Sequence, residues 1–197
     1  MRIPVIDNGG QWTHREWRVL RDLGAESEIL DNGVSPDALE GADGVVLSGG
    51  ALSLEGTDTL GRVNEWIDWL PVPVLGICVG HQYLARHYGG TVRRSPSPEF
   101  GRARIVVEPA AGPLFRGLGP SLTVWESHND QVGELPPGWT RLATGPTCAV
   151  QAISDPTGRR LGVQFHPEVE PTEGGRRLLQ NFLSLCAGSP AHPRELK

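Results

Sequence analysis

The chain has 197 residues and a formal net charge of −5, from 18 Lys+Arg against 23 Asp+Glu, which at ~150 residues per domain is one domain with room for a single sizeable core. All but one of the 18 basic residues are arginine, and the exception is Lys197, which excludes a Walker A phosphate loop and any Schiff-base lysine chemistry. The negative balance, with arginines scattered beside acids as in Arg15-Glu16 and Arg21-Asp22, predicts solvated faces and no nucleic-acid surface, which needs a basic stripe.

In chain order, Ile3–Ile6 is a short apolar run entering Asp7-Asn8-Gly9-Gly10, a strand leading to a glycine loop. Trp12–Leu23 carries Trp17, Leu20 and Leu23 at helical spacing, Glu28–Leu30 is a second short strand, and Gly44–Leu47 a third that runs into Ser48-Gly49-Gly50. Val63, Trp66, Ile67 and Leu70 predict an amphipathic helix stopped by Pro71. Val74–Ile77 reads as a buried strand and Gly80–His87 as the helix after it. Such alternation predicts a mostly parallel α/β sheet with helices on both faces. From Thr91 the pattern changes to strands at Arg102–Glu108, Leu122–Trp125, Thr147–Ile153 and Leu161–Phe165, read as antiparallel additions to the same sheet, before a closing helix over Thr172–Ala187. The domain is expected to span 1–187, with 188–197 a proline-rich disordered tail.

The opening Met1–Asp7 carries an acid where a signal peptide needs its apolar core. The longest uncharged stretch, Trp69–Ala85, is interrupted by Pro71, Pro73, Gly76 and Gly80, so no membrane span is expected and a cytoplasmic protein is. Cys78, Cys148 and Cys186 form no Cys-x-x-Cys pair, which predicts reduced thiols. Cys148 and Cys186 read as core thiols; Cys78 does not.

Gly76-Ile77-Cys78-Val79-Gly80 lies between a predicted strand and a predicted helix, the nucleophile-elbow pattern with sulfur in place of oxygen. A helix starting behind Cys78 aims backbone N–H groups at the sulfur and favours thiolate. By itself the pentapeptide reads equally well as a buried cysteine in a tight turn. A thiol nucleophile needs a base with an orienting partner. His166-Pro167-Glu168 offers both, because residues i and i+2 of an extended chain project to one side. Acyl transfer also needs oxyanion donors. The N–H of Val79 and one from the Ser48-Gly49-Gly50 loop are the candidates. The remaining histidines lack metal-ligand spacing, and no metal is assigned.

These three blocks, Gly76–Gln82, Ser48-Gly49-Gly50 and Phe165–Val169, resemble the signatures of class I glutamine amidotransferases, across nearly the whole chain. Asp7–Gln11 with Thr13-His14, Trp125–Val132, and His166–Glu170 with Thr172-Glu173 resemble the separate glutaminase subunits of archaeal-type GMP synthetases. The resemblance implies a flavodoxin-like fold, Cys78 as nucleophile, His166 as base and acid, and Glu168 as its orienter. It also implies oxyanion donors at Gly50 and Val79, and glutamine-binding roles for Gln82, Ser127 and His128. It implies no cofactor in this chain, with ATP and Mg expected on an ATP-pyrophosphatase partner that aminates XMP. Another amidotransferase pathway, a γ-glutamyl hydrolase or a degenerate regulatory subunit stay open. Ala51 stands where the family usually has proline, which predicts a loosened loop beside Gly50 and activity that depends on the partner.

Overall fold

Short apolar runs supply the strands of the first half, and those at 5–7, 45–47 and 74–77 are buried as in a sheet covered on both faces. The structure, a computed structural model, describes residues 1–57 and 59–188; the expected tail lies, beyond Gly188, outside the described residues. Strands are β1 (Val5–Asp7), β2 (Ile29–Asp31), β3 (Val45–Leu47), β4 (Val74–Ile77), β5 (Val92–Val107), β6 (Ser121–Val132), β7 (Thr140–Thr144), β8 (Ala152–Ser154) and β9 (Arg160–Val163). Helices are α1 (Thr13–Asp22), α2 (Val79–His87) and α3 (Gly175–Gly188).

One nine-stranded sheet has the order β2-β1-β3-β4-β9-β8-β7-β5-β6. It is parallel from β2 to β9 and antiparallel from β8 onward, as the alternation predicted. Alternate strand residues fill opposite layers, the period of a pleated strand. Val5, Val46, Leu75 and Ile77 pack with Leu20 of α1 and Leu178, Leu179 and Phe182 of α3. Ile6, Val45, Leu47 and Val74 pack with Val79, Tyr83 and Leu84 of α2.

Five strand positions separate β4 from β6, about 24 Å if the sheet were flat. Nevertheless the Cys78 thiol sulfur lies 3.8 Å from the Ser127 carbonyl oxygen. The sheet curls, helped by a register shift between Arg94 and Glu99. Its far edge is then tied down by the segment after β9: His166 N–H donates to Trp125 O, Trp125 N–H to Thr172 Oγ1, and Glu173 N–H to Thr123 O.

Five expectations change. The helix predicted from Val63 to Leu70 is a single 3₁₀ turn, Val63–Glu65, followed by turns. Its four apolar residues are buried as expected, but the Arg160 guanidinium takes the Ile67, Leu70 and Val72 carbonyls, which holds the chain in turns. Arg160 is thus buried and bonded to three backbone carbonyls, unlike the solvated arginines expected. The strand predicted over Thr147–Ile153 begins only at Ala152, because Gly145 N–H closes a turn onto Cys148 O. β7 has no apolar run and was not foreseen; pairing on both edges makes it a strand. Finally, Arg15-Glu16 is no solvated pair: the buried face of α1 is Thr13, Glu16 and Leu20.

Candidate active site

Cys78 adopts φ 51° and ψ −105°, the one non-glycine residue with positive φ among those described. Such backbone persists only where surroundings over-determine it. A Cβ on Gly76 would lie 2.4 Å from the Gly80 carbonyl carbon, and one on Gly80 would lie 2.5 Å from Leu47 O. Both flanking glycines are therefore required by close approach. The elbow puts the sulfur at the carboxyl end of β4 and the N-terminus of α2. The Val79 N–H is left without a protein acceptor among the described residues.

His166 and Glu168 leave the neighbouring strand β9. Glu168 Oε1 lies 2.7 Å from His166 Nδ1, which fixes the ring tautomer and leaves Nε2 for other work. The edge of Trp12 meets the imidazole at 4.4 Å between centroids, and Thr172 Oγ1 donates to His166 O. Burial opposes the imidazolium, but the Glu168 charge and hydrogen bonding with Cys78 and Glu168 hold His166 well above its ordinary range. His81 cannot replace it as base: fully buried under Gly162, it is driven by burial down to about 3.

The Ser48-Gly49-Gly50 loop is held more firmly than its composition predicts. Asn8 N–H donates to Ser48 Oγ at 2.9 Å and Asn8 Nδ2 to Ser48 O at 2.8 Å. Ser48 Oγ donates in turn to Gly49 O at 2.9 Å, so the peptide that carries the Gly50 N–H has its carbonyl end fixed. A Cβ on Gly50 would meet Asn8 O at 2.2 Å. Beyond exposed Ala51, Ser53 Oγ bonds Asp130 Oδ2 on β6. Gly50 N–H has no protein acceptor among the described residues. The loosening expected from Ala51 is met by clamps on both sides of it.

These groups line one cavity of about 350 Å³, walled also by Gly10, Trp12, Glu16, Leu52, Gln82, Phe100, Ser127, His128 and Asp130, a size suited to a small polar ligand. Every sequence-predicted site residue except Val79 and Glu168, which stand directly behind it, is part of this lining. Gln82 donates through Nε2 to Asp130 O and Gln164 Oε1. Ser127 turns its carbonyl to the thiol. His128 has both ring nitrogens committed, Nδ1 to Asp130 O and Nε2 to Glu99 and Glu126 carboxylates. Although burial works against its charge, the two carboxylates raise His128 to about 9, so the charge of its imidazolium is met within its own cluster.

Two convergences escaped the sequence spacing. Glu99, His128 and Cys148 group their ligand-type atoms within 4.8 Å of one another, and so do Glu16, His166 and Glu168. In both, the imidazole is already bonded to a carboxylate of its own set. Glu16, Trp12 and Asp130 were missed. The signal for Glu16 was its position, three residues after Thr13 and four before Leu20 on one helical face.

A strained thiol elbow, a histidine–carboxylate pair and unpaired N–H groups on this sheet define a family. The chain belongs to the class-I glutamine amidotransferases, whose family model matches residues 4–186. Among curated relatives, a Thermoplasma acidophilum protein is 47% identical over 95% of this chain and 94% of its own length, and a Natronomonas pharaonis protein is 44% identical over 95% and 98%. Both are named as a subunit of glutamine-hydrolyzing GMP synthase. The crystal structure of a protein assigned as a GMP synthase subunit from Thermoplasma acidophilum superposes with TM-score 0.89 at 46% identity, covering 95% of this chain and 94% of that one. A glutamine amidotransferase from Thermotoga maritima shares the fold at TM-score 0.77 and 23% identity, over 96% of this chain and 99% of that one.

Proposed function

We propose that this chain is the glutaminase subunit of a GMP synthase. Cys78 Sγ attacks the side-chain amide carbon of L-glutamine with the thiol proton already held on His166. The C–N bond then breaks, His166 returns the proton to the leaving ammonia, and a γ-glutamyl thioester remains on Cys78. Water activated by the same imidazole hydrolyses it to glutamate. Glu168 orients and charges the imidazole throughout. Gly50 and Val79 N–H groups receive the oxyanion. Gln82, Ser127 and His128 wall the amino-acid end of the substrate.

The observation that carries this reading is that Cys78 and His166 line one cavity while Glu168 holds the imidazole from behind it, in a chain whose relatives are named as glutamine-hydrolysing. Ammonia needs an acceptor, and this chain offers no Walker-type nucleotide loop. The reading therefore assigns ATP, Mg and XMP to an ATP-pyrophosphatase partner. Among the described residues no helix is long and apolar enough to cross a membrane, and the three cysteines are free, which supports the cytoplasm as its place. The test is steady-state glutamine hydrolysis by the pure chain, with the partner, and with partner plus XMP and Mg-ATP. The expected result is a low first rate and a large rise in the third. A full rate in the first tube, unchanged in the third, would point instead to a stand-alone γ-glutamyl hydrolase.

A further inference from the structure

Glu16 is a carboxylic acid where α1 should bury a hydrocarbon. It is 1% exposed, sits at the floor of the cavity beside Cys78 and His166, and is no member of the triad. Its Oε1 accepts the Gly49 N–H at 3.3 Å, while Oε2 is buried without any partner. One oxygen of Glu16 lies within 4.8 Å of both the His166 and Glu168 ligand atoms. Burying an acid so poorly bonded destabilises a fold, so its place here calls for a functional account.

We propose that Glu16 is a positioning residue for glutamine hydrolysis, a buried carboxyl that holds the Gly49 amide and so sets the oxyanion loop against the triad. The proposal rests on the glutaminase reading above. Gly49 is the hinge in the geometry: its N–H is held by Glu16, its carbonyl by the Ser48 hydroxyl, and the next N–H is the Gly50 donor. Removing Glu16 frees one end of the two-peptide unit that Ser48 holds at the other.

The acid form is what the surroundings select. Burial first, then the Glu168 charge, hold the Glu16 carboxyl well above the usual carboxylate range. The groups facing it are Glu168 and His166 from beyond β9, Cys78 from the elbow, and the Gly49 N–H. Its α1 neighbours His14, Arg15 and Arg18 point to solvent. Ionised, Glu16 would set a second negative charge beside Glu168 and oppose both thiolate and oxyanion. Activity in the wild type therefore falls on the alkaline side as this proton leaves.

The experiment compares wild type, Glu16→Gln and Glu16→Leu for kcat and KM of glutamine hydrolysis across pH, with the partner present. Melting temperatures and the pH profile of Cys78 alkylation by iodoacetamide are measured on the same proteins. Glu16→Leu should lower kcat at least tenfold, short of the ~10²–10³ that outright loss of an oxyanion donor costs, with KM little changed and melting temperature equal or higher. Glu16→Gln keeps an acceptor for Gly49 N–H and should restore kcat while losing the alkaline decline. Wild-type kcat in Glu16→Leu would overturn the proposal. So would equal impairment of both variants alongside lower melting temperatures, the mark of a merely structural residue. A wild type that hydrolyses no glutamine would defeat the glutaminase reading instead. The positioning claim would then be judged on alkylation alone, where an unchanged pH profile in Glu16→Gln overturns it.

Discussion

Replacing Ser48 by alanine tests whether the oxyanion loop is held by its clamp. The hydroxyl is fully buried, accepts Asn8 N–H and donates to Gly49 O. Ser48→Ala leaves a buried N–H and a carbonyl unpaired at once, costing about 1–3 kcal/mol. In a chain of this length that lowers the melting temperature by roughly 2–12 °C. The catalytic effect is separate and smaller than loss of the donor itself. One hydrogen bond worth about 0.5–1.5 kcal/mol net biases the Gly49–Gly50 peptide by roughly 2- to 12-fold, so kcat should fall by about that factor, well under the ~10²–10³ of a missing donor. KM for glutamine and the alkylation rate of Cys78 should not move, because Ser48 is not itself part of the cavity lining and bonds neither the thiol nor Gln82, Ser127 or His128. The assay is ammonia release at saturating glutamine, with thermal melts on the same samples. A lowered melting temperature with unchanged kcat would refute the argument, since the clamp would then serve folding alone.

Other consequences are more direct. Cys78→Ala should abolish ammonia release, and a glutamine-analogue electrophile should mark Cys78 by mass spectrometry; burial raises Cys148 and Cys186 to about 12, and an adduct on either would contradict the assignment. His166→Ala should cost about as much as Cys78→Ala, since one catalytic unit is not additive. Glu168→Gln should be milder, because Nδ1 keeps a hydrogen-bond partner but loses its charge; the pH–rate profiles of the two variants separate these cases. His128 is raised in the folded state to about 9 from 6.5. Its stabilising pairing with Glu99 and Glu126 is therefore complete below about pH 6.5 and lost as pH rises through about 9. Melts across pH 6–10 should show that loss in the wild type and not in Glu126→Gln/Glu99→Gln.

The elbow was legible because it is written in one pentapeptide whose small flanks are demanded by 2.4–2.5 Å approaches. The His166–Glu168 pair was legible for a similar reason, two residues on one side of an extended chain. The parallel half could be read from strand–helix alternation. What stayed hidden depended on partners far along the chain. Arg160 looks like any surface arginine until Ile67, Leu70 and Val72 bring carbonyls to it. Glu16 looks like half of an exposed Arg–Glu pair until Gly49 arrives from residues 33 positions later. β7 becomes a strand only between β5 and β8, and no local pattern announces it. The clamp on Ser48 needs Asn8 from another loop, so composition alone suggested slackness.

The strand order also says when this molecule can begin to work. β9, the last strand to leave the ribosome, occupies the slot between β4 and β8, and only with it in place are the parallel and antiparallel halves one sheet. His166 follows it directly and closes the curl onto Trp125. A nascent chain that has made everything through β8 carries Cys78 but lacks the base, the Val163 carbonyl that bonds the Cys78 N–H and the closed pocket. Synthesis is therefore self-timed: glutamine cannot be spent by an unfinished chain, and a transcript truncated ahead of residue 160 yields a protein that is inert, not unregulated.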